Sequence, residues 1–143
     1  LRRSQWKDLS EVSDEELEML TDCAEIPAGA AALFARGVQA VVVTRGAKGC
    51  VVCTPSCVRA LSTYDTPVVD TTGSGDSFFG AFLTKLIEAG QPVSALSAET
   101  LCAAADFANA AGSVCATKKG AIPALPDRAA IEACMRSVPK LEI

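Results

Sequence analysis

The chain turns on the stretch Val69-Asp70-Thr71-Thr72-Gly73-Ser74-Gly75-Asp76-Ser77-Phe78-Phe79-Gly80. Pro67, Val68 and Val69 form a short extended segment, small residues follow, and a helical pattern then runs over Ser77–Glu88 until Gly90 and Pro92 close it. A helix that starts near Gly75 leaves its first backbone N–H groups unpaired and pointing into the loop. Those donors, with the positive end of the helix dipole, make an anion site. Gly73 and Gly75 let the backbone approach a phosphate with no Cβ in the way. Asp76 is the unexpected residue, because it sets a carboxylate beside a site that favours anions. There it can accept a hydroxyl proton while the N–H groups hold a transferring phosphoryl group. Alternatively, Asp70 or Asp76 is only a helix cap at a structural turn, since Ser, Asp and Gly dominate helix starts. Neither G-x-x-x-x-G-K-[ST] nor G-x-G-x-x-G occurs in the chain, so the loop is neither a Walker loop nor a dinucleotide fingerprint.

Upstream of this loop, Ala40-Val41-Val42-Val43-Thr44 is apolar without alternation, as in strands covered on both faces. Gly46-Ala47-Lys48-Gly49 is a tight turn, and Cys50–Cys53 returns as an antiparallel strand. Val58–Leu61 is a candidate third strand. Ser13-Asp14-Glu15-Glu16 reads as a capping box, with Leu17 and Leu20 following on one helix face. Pro27 starts a second helix through Ala28–Arg36, and residues 1–12 read as polar and irregular. Downstream, Ser97–Val114 is a long alanine-dense helix, and Asp127–Ser137 is a last helix capped by Asp127. Helices alternating with short strands predict an α/β fold.

At 143 residues the chain has the size of one domain. Half the residues are hydrophobic and only 5% aromatic, so the core is aliphatic and alanine-rich. The net charge of −4, from 17 acids against 13 bases, argues against a polyanion-binding surface over the whole molecule, since nucleic-acid binders usually carry a basic excess. It leaves room for a local phosphate site. No apolar run approaches the roughly 18 residues of a membrane span, and no charged-then-apolar leader is visible. Seven cysteines, most in apolar runs, read as reduced thiols used as small hydrophobes, which predicts a cytoplasmic protein. Zinc at Cys50 and Cys53 is disfavoured, because the chain has no histidine and positions 50 and 53 of a strand point to opposite faces.

Four segments carry a family resemblance. Asp70–Phe82 resembles the C-terminal signature of the ribokinase-type, or PfkB, carbohydrate kinases. Val43-Thr44-Arg45-Gly46-Ala47-Lys48-Gly49 resembles their nucleotide-side hairpin. Phe107-Ala108-Asn109-Ala110-Ala111-Gly112, with the run from Thr117 to Pro126, is similar to the end of plant-type fructokinases. Val12–Leu17 fits the family's N-x-x-E motif, with Ser13 where the motif has Asn. They lie in the family's order and span most of residues 12–138.

The resemblance implies a ribokinase-like fold. The chain would supply the C-terminal half of a mostly parallel sheet flanked by helices, with a small antiparallel hairpin near the nucleotide site. It implies Asp76 as catalytic base and the N–H groups of Gly73, Ser74, Gly75 and Asp76 as the anion hole. Thr44, Gly46, Ala47, Gly49 and Asn109 would contact the nucleotide. On local grounds, the first four also suit a plain hairpin, and Asn109 an ordinary polar helix residue. Glu16 would act on Mg²⁺ through water, although it equally suits the cap with Ser13. Asp70 and Thr72, with backbone carbonyls near Cys115, Lys118 and Gly120, match a monovalent-cation loop for K⁺, and Ala124 stands where ribokinases have a serine ligand.

The implied reaction is ATP-dependent phosphorylation of a sugar hydroxyl, foremost fructose to fructose 6-phosphate. This chain would carry the ATP site and the base, and the sugar-binding half has no counterpart in it. The alternatives are a non-catalytic fructokinase-like binding protein, or a kinase for ribose, adenosine or another sugar. The implied organisation is an irregular remnant of an upstream region at 1–12, the C-terminal part of a kinase domain at 13–138 and a tail at 139–143. The implied partners are sugar and ATP, with neither nucleic acid nor membrane, and a homodimer in a full-length protein.

Overall fold

The computed structural model describes residues 8–119 and 127–141. Its elements are β1 (Leu9–Ser13), α1 (Asp14–Thr21), α2 (Ile26–Ala35), β2 (Ala40–Thr44), β3 (Cys50–Thr54), β4 (Cys57–Leu61), α3 (Ser74–Ala89), α4 (Ala98–Cys115) and α5 (Arg128–Ser137). The strands form one sheet in the order β1-β2-β3-β4. β1 runs parallel to β2, with Leu9 opposite Ala40, and β2–β3 and β3–β4 are antiparallel. Parallel pairing is thus confined to β1–β2, and the sheet of the described residues is mixed.

One local expectation is corrected. Residues 9–12, read as irregular, are strand β1. Leu-Ser-Glu-Val carries too weak an alternation to signal a strand. Its order comes from backbone hydrogen bonding to β2, some thirty residues away in the chain.

The unbroken apolar run of β2 has the expected cause. Val41 and Val43, with Val51, Cys53 and Val12, pack on Leu17 of α1 and on Ala30 and Leu33 of α2. Ala40 and Val42, with Cys50 and Val52, pack on Phe78, Phe82 and Leu86 of α3 and on Leu101, Ala104, Ala105 and Ala108 of α4. The sheet is therefore covered on both faces, and α5 adds a further contact outside α4 through Ile131, Cys134, Phe107 and Tyr64. Phe82 is fully buried, and a side chain of its class contributes about 1.5–3 kcal/mol by leaving water.

Local signals start the helices. Ser13 Oγ accepts from Glu16 N at 3.1 Å and Glu16 Oε1 accepts from Ser13 N at 3.2 Å, closing the capping box. Ser97 caps α4 and Asp127 caps α5 through Thr100 N and Ala130 N.

Cys50 and Cys53 lie in the two opposite cores. Burial pushes their thiols up to about 12 and about 11, so both stay protonated at neutral pH. Among the described residues no group of three His, Cys, Asp or Glu could hold a metal ion. No described helix is long and apolar enough to cross a membrane.

Candidate active site

The loop ahead of α3 is tied down on both sides. The N–H groups of Val69 and Asp70 both donate to the Ala116 carbonyl, at 2.8 and 3.1 Å. Asp70 Oδ1 accepts from Thr72 N at 2.9 Å and from Thr72 Oγ1 at 2.6 Å. Gly73 then takes the left-handed conformation (φ 82°), which a side chain would strain, and stands at the N-cap of α3 with no side-chain cap bond. Neither Asp70 nor Asp76 caps this helix. Ser74 N donates back to Thr71 O at 3.1 Å, and Ser77 N donates to Gly73 O at 2.8 Å. No backbone carbonyl of the described residues takes the N–H of Gly73, Gly75 or Asp76. The Ser74 hydroxyl is buried without a hydrogen-bond partner. These are the donors an anion requires at a helix start. Asp76 is exposed in the first turn beside them.

A cleft of about 400 Å³ adjoins this loop. Ser74, Gly75 and Phe78 form one side, Thr44, Gly46, Ala47 and Gly49 another, and Asn109, Gly112, Ser113 and Ala116 the floor along α4. The structure thus brings all five expected nucleotide contacts together with part of the expected anion hole. The two hairpin glycines differ in kind. Gly49 has φ +83°, and a Cβ there would meet the Leu61 carbonyl oxygen at 2.0 Å, whereas Gly46 (φ +58°) faces open space. Asn109 serves packing as well as the cleft, for it is 5% exposed and its Nδ2 donates to Cys50 Sγ at 3.5 Å and Ser62 O at 3.4 Å.

Thr63, Tyr64, Thr66, Val68, Thr71 and Leu141 also line the cleft. Sequence reasoning missed them, since no periodicity or glycine marks them. It also missed Glu11 on β1. Burial raises the Glu11 carboxyl above its ordinary range, and the neighbouring charges of Glu16 and then Asp76 add to the effect.

Of the expected cation set, Asp70, Thr72, Cys115 and Lys118 gather where α4 ends against the loop. Cys115 Sγ donates to Thr72 O at 3.8 Å, and Lys118 N donates to Cys115 O at 3.3 Å. Gly120 and Ala124 lie outside the described residues.

Residues 7–128 match the model of the pfkB family carbohydrate kinases. The chain belongs to that family. Among curated relatives of this pfkB-family chain, it is 42% identical over 142 residues to Probable fructokinase-5 of Arabidopsis thaliana, covering 96% of this chain and 43% of that protein. It is 37% identical to Fructokinase-1 of Oryza sativa subsp. japonica, covering 40% of it. Its fold is ribokinase-like. It superposes with TM-score 0.80 on a double-mutant fructokinase from Vibrio cholerae O395 in fructose-, ADP- and potassium-bound form. That match has 37% identity and covers 89% of this chain and 40% of that one. A ribokinase from Thermotoga maritima gives 0.78 at 27% identity, covering 91% and 42%. The chain thus spans less than half the length of the relatives it matches.

Proposed function

We propose that this chain carries the nucleotide site and the catalytic base of an ATP-dependent sugar kinase that phosphorylates fructose. One observation supports this above the others. The hairpin Thr44–Gly49, the α3 start at Ser74–Gly75 and Asn109 converge on one cleft, whose anion end offers unpaired N–H groups and a buried, unpartnered hydroxyl. The volume lies within the range of small-molecule sites. Phosphates fit the N–H groups of Gly73, Gly75 and Asp76 and the Ser74 hydroxyl.

Asp76 accepts the proton of the sugar hydroxyl as its oxygen bonds to the γ-phosphorus and the bond to the β-phosphate oxygen breaks, releasing ADP. The transition state of such a transfer is loose, so donors fixed on a helix start count for more than the strength of the base. Mg²⁺, when bound with the nucleotide, neutralises phosphate charge. By the family resemblance, Glu16 would orient its water shell. Asp70, Thr72 and the Cys115 region, with Lys118 and Gly120, would hold a monovalent cation such as K⁺. Fructose is favoured because curated relatives are named fructokinases and one structural neighbour binds fructose and ADP.

Calorimetric titration with ADP tests the nucleotide site. Saturable binding that Gly75→Val abolishes is expected, and a folded chain that binds neither ADP nor ATP would overturn the assignment.

A further inference from the structure

Residues 139–141, which follow α5, are built into the fold. Pro139 O accepts from Asp65 N at 2.8 Å, Leu141 N donates to Thr63 O at 2.9 Å, and Lys140 bridges Tyr64 in antiparallel fashion. A side-chain clasp pins the pairing. Tyr64 is 4% exposed, and its hydroxyl donates to Asp106 Oδ1 on α4 at 2.9 Å. Lys140 Nζ pairs with the same oxygen at 3.0 Å and sits 5.6 Å from the centre of the Tyr64 ring. Held this way, Leu141 forms part of the cleft wall beside Thr63 and Tyr64.

Position along α4 says what this wall meets. Ala116 anchors the anion loop. Asp106 lies ten residues earlier on that helix, roughly 15 Å along its axis. A nucleotide whose phosphates occupy the loop extends toward the clasp. An apolar leucine offers nothing to phosphate but suits the face of an aromatic base.

We propose that Pro139–Leu141, clasped by Tyr64, Asp106 and Lys140, is the wall that receives the base of the nucleotide, with Leu141 as a specificity-determining residue. This rests on the nucleotide assignment above. Lys140 and Asp106 are positioning residues that act through Leu141.

The test measures the affinities of ATP and of inorganic tripolyphosphate, which lacks a base, for the intact chain, Leu141→Asp, Lys140→Met and Lys140→Arg. Leu141→Asp is expected to weaken ATP about tenfold, equivalent to about 1.4 kcal/mol, with tripolyphosphate unchanged. Lys140→Met should weaken ATP in the same selective way, and Lys140→Arg should restore it. Lys140 is exposed, so its replacement leaves the core filled even where Leu141→Asp fails to fold. Unchanged ATP affinity in both Leu141→Asp and Lys140→Met, with the intact chain binding normally, overturns the base wall and leaves the nucleotide site standing. Equal weakening of both ligands also overturns it, since the segment would then be merely structural. If the intact chain binds neither ligand, the nucleotide assignment itself falls, and this proposal with it.

Discussion

Gly112 on α4 stands so close to Ser74 at the start of α3 that a Cβ on the glycine would lie 3.3 Å from the serine carbonyl oxygen. The anion loop is thus seated on α4 through a position without a side chain. Gly112→Ala would improve helix propensity by roughly 1 kcal/mol while pushing the two helices apart by a few tenths of an ångström. Thermal stability is expected to change little, while ADP affinity falls several-fold. Melting curves and calorimetry on the same preparation check the split, and unchanged affinity would refute it.

Asp76 is exposed and caps nothing, so Asp76→Asn should leave folding intact. Removing a negative charge beside bound phosphates should leave nucleotide affinity equal or higher. Transfer to fructose, assayed with the complementary portion of a plant fructokinase supplied in trans, is expected to fall by about 10²–10⁴. Equal turnover in the variant would remove Asp76 from the chemistry.

The Glu11 carboxyl is raised first by burial, then by the charges of Glu16 and Asp76. The folded chain therefore holds the Glu11 proton more tightly than the unfolded chain does, and ionisation opposes folding. The penalty is absent below the ordinary carboxyl value of 4.5, grows as pH rises through the raised value, and is complete above it. Glu11→Gln is expected to melt higher than the parent at pH 7 and level with it at acid pH. Melts across that range check the sign, and a variant less stable at pH 7 would reverse it.

The hairpin glycines should respond differently. Gly49→Ala combines a left-handed φ with a Cβ placed 2.0 Å from Leu61 O, and is expected to cost roughly 3 kcal/mol or more. Gly46→Asn, at φ +58° in open space, suits a residue that tolerates this conformation and is expected to cost under about 1 kcal/mol. Denaturant unfolding of the two variants gives the comparison directly.

Much of this was legible because it is local. The Ser13–Glu16 capping box, the caps at Ser97 and Asp127, and the two-faced burial of Ala40–Val43 are written in adjacent residues. The meeting of Thr44–Gly49, Ser74–Gly75 and Asn109 followed from family resemblance, since nothing in their spacing places them together. What escaped is non-local. β1 exists through pairing with β2, and Glu11 gained its surroundings only with that strand. Tyr64 and Leu141 reach the cleft from segments more than seventy residues apart, joined by backbone bonds that no sequence pattern announces.

The Ala116 carbonyl takes both the Val69 and the Asp70 N–H, so α4 works as a ruler for the loop ahead of α3. One residue inserted within α4 would turn Ala116 by about 100° and advance it about 1.5 Å, carrying the mooring away from both amides. The stretch between Asp106 and Ala116 is then intolerant of insertion and deletion, whatever side chains it carries. The connection from Ala89 to Ala98 can absorb changes of length only at its exposed residues Gly90–Pro92, because Val93 and Leu96 are themselves buried in the core. Length variation among relatives should therefore accumulate in that connection and stop where α4 begins to set the distance from clasp to loop.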